Sequence, residues 1–192
     1  MFAGFEAYCR EDIKLTEAEF KLLCSASVER ALRRKEVLLR MGEICKEKIF
    51  ILDGFLRTYR VKEDGSEHIV QFSTEGSWTT EPESYHNATP SQYCIDALEP
   101  TTVMVWTKAD FDALFLQIPR MKAFTDKMIS DNMYINRNRL YTTISSNAEE
   151  RYDEFIKSHP GVANRVPLHM IASYLGVSRE TLSRIRHAQV KG

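Results

Sequence analysis

Near the C-terminus the sequence reads "GVSRETLSRIRH" over residues 176–187. If this stretch is helical, Arg179, Ser183 and Arg186 fall at i, i+4 and i+7 and share one face, with Glu180, Arg184 and His187 beside them. The chemistry available to that face is recognition of double-stranded DNA. An arginine fork can donate to both acceptors on a guanine edge, and a glutamate can accept from cytosine N4. The hydroxyls of Ser178 and Thr181, at the start of the helix, can hold a phosphate.

Such a face must be positioned by a second helix, and the residues just upstream supply one. A helix-turn-helix needs a small residue where the helices cross, a residue tolerant of positive φ at the turn, and apolar residues facing inward. Ala172, Gly176 and the set Ile171, Leu175, Val177, Leu182 and Ile185 meet these demands. Ser178 is the expected N-cap of the second helix, and Pro167 suits the first turn of the first.

Charge agrees with this assignment once it is resolved along the chain. The formal net charge is −1. From Gly161 onward, however, the cations are Arg165, Arg179, Arg184, Arg186 and Lys191, and Glu180 is the single acid. A basic end on an acidic body is a local electrostatic footprint for nucleic acid that the whole-chain sum hides.

The elements before residue 147 must carry and regulate this unit. Thr16 with Glu19 is a capping box and opens a short amphipathic helix. From Val28 to Phe111 the texture is short apolar runs separated by turn residues. Ile49–Leu52 ends at Gly54, Phe55–Val61 and Ile69–Phe72 flank "EDGS" (63–66), and two more runs flank Glu99-Pro100. Asp-Gly predicts a two-residue type I′ hairpin. Strands in succession, without alternating helices, predict an antiparallel sandwich or roll. The polar stretch "EPESYHNATP" (81–90) is expected to be a loop. Residues 120–146 contain no Gly or Pro and predict a helix about 40 Å long. Met121, Phe124, Met128 and Ile135 form one apolar stripe, and Ile129, Met133, Leu140 and Ile144 form its neighbour. Such a helix is longer than a small roll can cover, which predicts a homodimer through Phe124, Met128, Ile135, Leu140 and Ile144. Asn147 with Glu150 then caps a further helix.

Other function classes find no support. A metal-dependent β-barrel enzyme needs clustered ligands, usually His-x-His, and His68 and His86 stand alone. Cys9, Cys24, Cys45 and Cys94 form no C-x-x-C pair, so reduced thiols of a cytoplasmic protein are expected. No apolar run approaches the roughly 20 residues needed to cross a bilayer. The expectation is a protein without metal, cofactor or enzymatic activity. The competing reading is a β-roll binding module whose C-terminal helices dock a protein rather than DNA.

"GVSRETLSRI" resembles the recognition helix of the Crp/Fnr (catabolite activator protein) family. The element order resembles that family throughout, with Gly42, Gly54 and Gly76 at turns of a β-roll similar to cyclic nucleotide-binding domains. The resemblance implies an α+β fold. Residues 1–119 would form a jelly-roll-like sensor flanked by helices, 120–146 a dimerisation helix and 147–192 a helix-turn-helix DNA-binding domain. It also implies that Arg179, Glu180 and Arg184 read base edges, that RNA polymerase is a partner, and that an effector pocket involves Gly76, Trp78, Glu81, Gln92 and Tyr93. Two features depart from the family. Its cyclic-nucleotide site pairs the phosphate with an arginine, but no arginine occurs between Arg60 and Arg120, and the matching position reads Ser91-Gln92-Tyr93. The roll is therefore expected to bind a small molecule other than cAMP, or nothing. The family's β-hairpin wing would follow the recognition helix, and six residues follow Arg186, so a helix-turn-helix without a wing is expected.

Overall fold

The computed structural model describes residues 3–191, with side chains over 4–189. Eight strands form two four-stranded antiparallel sheets. The first contains β1 (Val28–Leu32), β8 (Thr101–Thr107), β3 (Glu47–Asp53) and β6 (Trp78–Thr79), in that order. The second contains β2 (Val37–Leu39), β7 (Cys94–Ala97), β4 (Phe55–Val61) and β5 (Glu67–Thr74). Leu39, Ile49, Ile51, Leu56, Ile95, Val103 and Val105 fill the space between them. This is the antiparallel roll expected from the sequence.

The outer face of each sheet is covered as well, which is why β3 and β8 read as continuous apolar runs rather than alternating ones. On the first sheet, Phe50, Met104 and Trp106 meet helices on both sides of the roll in sequence. Preceding it are α1 (Ala3–Tyr8), continued by a wider turn over Cys9–Ile13, and α2 (Glu17–Ser25). Following it are α4 (Lys108–Gln117) and the start of α5 (Pro119–Ser145). The Trp106 indole donates to the Leu23 carbonyl at 2.8 Å, so the one polar atom of this large buried ring is satisfied. The Thr16–Glu19 capping box forms as expected.

On the second sheet, Phe55, Tyr59, Ile69, Phe72 and Cys94 share one core with α6 (Ala148–Ser158), α7 (Val162–Arg165), α8 (Leu168–Leu175) and α9 (Arg179–Lys191). Arg57 stands among these residues, buried. Its guanidinium holds Asp96 at 2.8 and 2.9 Å and Glu67 at 2.6 Å, and lies 4.0 Å from the Tyr59 ring. Burial works against its charge, but the hydrogen bonds to Asp96 and Glu67 outweigh that cost and hold the group above its already high range.

Three local expectations are corrected. The hairpin at Asp64-Gly65 is not type I′, because only Gly65 takes positive φ, +81°. The Gly65 amide donates to the Lys62 carbonyl at 2.9 Å and the Lys62 amide to the Ser66 carbonyl at 3.0 Å, giving a three-residue loop with glycine at the bulge. Asp64 is instead recruited by Ser66, whose amide and hydroxyl both donate to its carboxylate. Residues 81–90 are not all loop: Pro82–Asn87 form α3, with Glu81 accepting from the amides of Glu83 and Ser84. The prolines and polar residues mask a helix start, Pro at the first position behind an acidic cap. Pro167 is the N-cap of α8 rather than part of its first turn.

Gly54 is required by close approach. Its φ is +99°, and a Cβ there would stand 2.5 Å from Thr101 Oγ1 and 2.7 Å from the Pro100 carbonyl oxygen.

Candidate nucleic-acid interface and sensor cavity

Helices α8 and α9 are arranged by the local rules read from the sequence. Gly176 ends α8 with φ +67°. The Ser178 hydroxyl accepts from the Thr181 amide at 3.1 Å and donates to the Thr181 hydroxyl at 3.0 Å, capping α9. Ile171, Ala172, Leu175 and Leu182 are buried, and Val177 and Ile185 pack against them. Arg151 of α6 donates to the Leu175 carbonyl at 2.9 Å, closing the C-terminal end of α8. Gln189 donates to Asp153 at 2.6 Å, tying α9 to α6.

The opposite face of α9 is open. Arg179, Glu180, Arg184, Arg186 and His187 are exposed, and Thr181 and Ser183 are half-buried. Among the described residues no ion pair neutralises Arg179, Arg184 or Arg186. The carboxyl of Glu180 is held below its ordinary range by its own backbone N–H and by Ser178 at the helix start. The seven residues singled out in the sequence thus lie on or beside one exposed, net basic helix. The side chain of Lys191 lies outside the described residues.

Sequence reasoning missed how this unit is fastened to the roll. The Ser173 hydroxyl on α8 accepts from the Ile69 amide at 3.1 Å and donates to the Glu67 carbonyl at 3.0 Å, so α8 continues the hydrogen bonding of strand β5. Arg165 on α7 lies over the Phe55 ring at 4.8 Å and bonds Glu75 at 3.0 Å and Glu99 at 2.5 Å. Arg139 of α5 donates to the carbonyls of Val70 and Tyr174 and lies 3.8 Å from the Tyr174 ring. Val70 is the extra residue of a bulge in β5, which frees its carbonyl for this bond. No periodicity marks these single polar side chains.

The residues expected at the dimer seam divide into two groups. Phe124 packs on its own roll, edge-on to Tyr8 at 6.0 Å, and Met128 is half-buried. Ile135, Leu140 and Ile144 are exposed, as are Ile129, Met133, Tyr134 and Tyr141.

The five residues expected around an effector do not come together. Gly76 is an exposed turn residue and Gln92 is exposed. Tyr93 is half-buried, with its amide donating to Ser91. The Glu81 carboxylate is occupied in capping α3. Of the five, Trp78 alone lines the cavity of about 440 Å³ between the first sheet, α3 and α5. The buried residues Lys48, Thr79 and Tyr85, which carry no sequence motif, also border it.

Comparison with known proteins agrees with this architecture. Residues 29–117 match the cyclic nucleotide-binding domain family. The nitrogen fixation regulation protein FixK of Bradyrhizobium diazoefficiens is 26% identical over 146 residues, 70% of this chain and 60% of its own length. The transcriptional activator protein Anr of Pseudomonas protegens is 25% identical over 171 residues, 81% of this chain and 68% of its own. The chain therefore spans about three fifths of the length of FixK. Among solved structures, FixK2 from Bradyrhizobium japonicum superposes with a TM-score of 0.72 at 18% identity, covering 86% of this chain and 85% of its own. The global regulator CLP of Xanthomonas campestris, described as responsive to c-di-GMP, gives 0.75 at 13% identity over 92% and 93%. The structural likenesses are of fold, while the matched domain model assigns residues 29–117. Residues 29–117 thus form a domain of the cyclic nucleotide-binding family, and the chain as a whole is similar to transcription regulators of the Crp/Fnr type.

Proposed function

We propose that this chain is a homodimeric, sequence-specific DNA-binding regulator rather than an enzyme. It would work in the cytoplasm, with residues 1–119 as sensor, 120–146 as dimer helix and 147–192 as DNA reader. The observation that carries the reading is α9: one face buried in a helix-turn-helix core, the other presenting Arg179, Arg184 and Arg186 without acidic partners among the described residues. Arg179, Glu180 and Arg184 read base edges from its first turns, Ser178, Thr181 and Ser183 serve phosphate or base contacts, and Arg186 extends the same face. Dimerisation through the exposed stripe of α5 supplies two such helices to paired half-sites. RNA polymerase is the downstream partner, by analogy with the family.

The effector is not cAMP. Between Arg60 and Arg120 the roll offers no arginine to neutralise a cyclic phosphate, and the Glu81 carboxylate is already committed to α3. Selection from random duplex DNA tests the reading, with wild type and Arg184→Ala compared. Wild type should enrich a two-fold symmetric motif. Arg184→Ala should relax one position in each half-site, a loss of about 1–3 kcal/mol in discrimination. An unchanged motif would remove Arg184 from base reading. No motif from wild type, together with no gel shift on nonspecific DNA at low salt, would favour a module that docks a protein.

A further inference from the structure

We propose that the turn formed by residues 33–36, between β1 and β2, is a second DNA-contacting surface, which holds the phosphate backbone outside each half-site. This rests on the reading of α9 as the DNA reader and of α5 as the dimer helix. Arg33, Arg34 and Lys35 are consecutive and exposed, and none of them makes an ion pair among the described residues. Glu36 is the acid of the turn, and its carboxylate accepts from the Arg33 amide at 3.0 Å. Carboxylates on the adjoining strands are engaged as well, Glu75 and Glu99 by Arg165 and Asp96 by Arg57. Three cations against one carboxylate leave the turn net basic, on a body that is otherwise acidic. The turn is also preformed. Lys35 takes φ +69°, which residues other than glycine seldom adopt. Its amide donates to the Ala97 carbonyl at 2.6 Å, the Ala97 amide donates to the Glu36 carbonyl at 3.0 Å, and the Glu36 amide donates to the Arg33 carbonyl at 2.9 Å. A backbone held in this way needs little ordering when it binds.

Its place in the fold selects the partner. From Ala97 the chain passes to Leu98, which packs against the core shared with the C-terminal helices, and to Glu99, which holds Arg165 of α7. Helix α7 leads into α8, the first helix of the helix-turn-helix, and in such units the first helix crosses the DNA backbone. The basic turn thus stands beside the end of the reader at which α8 begins. The strand order fixes the side of the protomer. β5 is one edge of the second sheet, and Arg139 of α5 is bonded to it at Val70. β2, which the turn enters, is the opposite edge. The turn therefore lies at the sheet edge remote from the α5 clamp, and in a dimer joined through α5 the two turns stand outermost. Duplex that continues past the half-sites meets them there. Its backbone carries one negative charge per ~1.7 Å, which suits three adjacent cations without acidic partners. Such contacts position the duplex and read no bases.

Two duplexes carrying the selected motif would be compared, one ending at the outer edge of each half-site and one extended on each side by about ten base pairs, one helical turn. Binding of the full-length wild type and of the triple variant Arg33→Gln, Arg34→Gln, Lys35→Asn would be followed from about 50 to 200 mM salt. Asn is chosen at position 35 because it tolerates positive φ. Each phosphate contact contributes about 0.9 to the salt slope, so losing one to three contacts per subunit should lower the slope on the extended duplex by about 2–5 in the dimer. At the lowest salt the triple variant should bind the extended duplex about tenfold or more weakly, bind the short duplex as wild type does, and select the same motif. Arg34→Gln alone, which leaves the hydrogen bonds of the turn untouched, should show the same selective loss to a smaller extent. Equal losses on both duplexes, or an unchanged slope on the extended one, would overturn the proposal; an unchanged slope is also the result if the turn docks an acidic protein instead. A wild type that binds the short duplex and gains nothing from the longer one removes this surface and leaves the DNA reader standing. A wild type that binds neither duplex sinks both.

Discussion

The two halves of α5 carry similar apolar stripes and live in opposite environments. Met121 is fully buried and Phe124 packs on Tyr8, so the first turns are core of the roll. Ile135 and Leu140 are each 60% exposed and Ile144 is 77% exposed, so the last turns have no cover within the protomer. Within this second stretch, Arg139 clamps the helix to Val70 and Tyr174. One continuous helix therefore belongs to the roll at one end, and at the other it both holds the C-terminal helices through Arg139 and offers an apolar surface. Identical side-chain chemistry contributes to folding in the first case and is available for association in the second.

The sharpest way to break this comparison is at the exposed end. Replacing Ile135 and Leu140 together with Glu should leave the protomer folded but place charges in the proposed dimer seam, at several kcal/mol if fully buried. Analytical ultracentrifugation should show a monomer at concentrations where wild type is dimeric. A wild-type sedimentation profile would show that the exposed stripe is not the interface. The opposite experiment is Met121→Ala. It should lower unfolding free energy by about 2–5 kcal/mol, the range for truncating a buried Met, without altering subunit association. Urea denaturation at fixed protein concentration measures the first effect and sedimentation the second.

The smallest expected effect concerns the surroundings of the Arg139 clamp. His159 stacks on Phe155 at 5.0 Å and meets the Tyr174 ring at 5.5 Å, under the Arg139 clamp. Burial holds its pKa below the ordinary histidine range, with nearby Arg139 adding to the effect and a backbone hydrogen bond at Phe155 opposing it. The folded protein thus binds a proton less readily than the unfolded chain. The associated stability is complete above the ordinary histidine range and is lost as pH falls through it. Melting temperature should drop more steeply between pH 7 and 5.5 for wild type than for His159→Gln. Parallel curves would mean the imidazole titrates freely.

Much of this was legible in the residues, and the reason differs from site to site. The helix-turn-helix follows from local rules: Gly176 supplies positive φ, Ser178 caps, and Ile171, Leu175 and Leu182 recur at helical spacing. The strands followed from apolar runs and turn residues. The type of hairpin at Gly65 did not, since Asp-Gly suits two turn types and the strand register chooses between them. The helix over Pro82–Asn87 was concealed because its composition is that of a loop.

Sequence by itself determined the order of elements, the family resemblance and the charged face of α9, since each depends on residues close together in the chain. Tertiary structure decided which half of α5 is core. It also decided that Glu81 serves a helix cap, that α8 extends strand β5 through Ser173, and that Lys48 is buried without a counter-ion among the described residues. Those outcomes depend on burial and on partners from distant strands and helices, and burial is set by everything that packs around a residue, not by its neighbours in sequence.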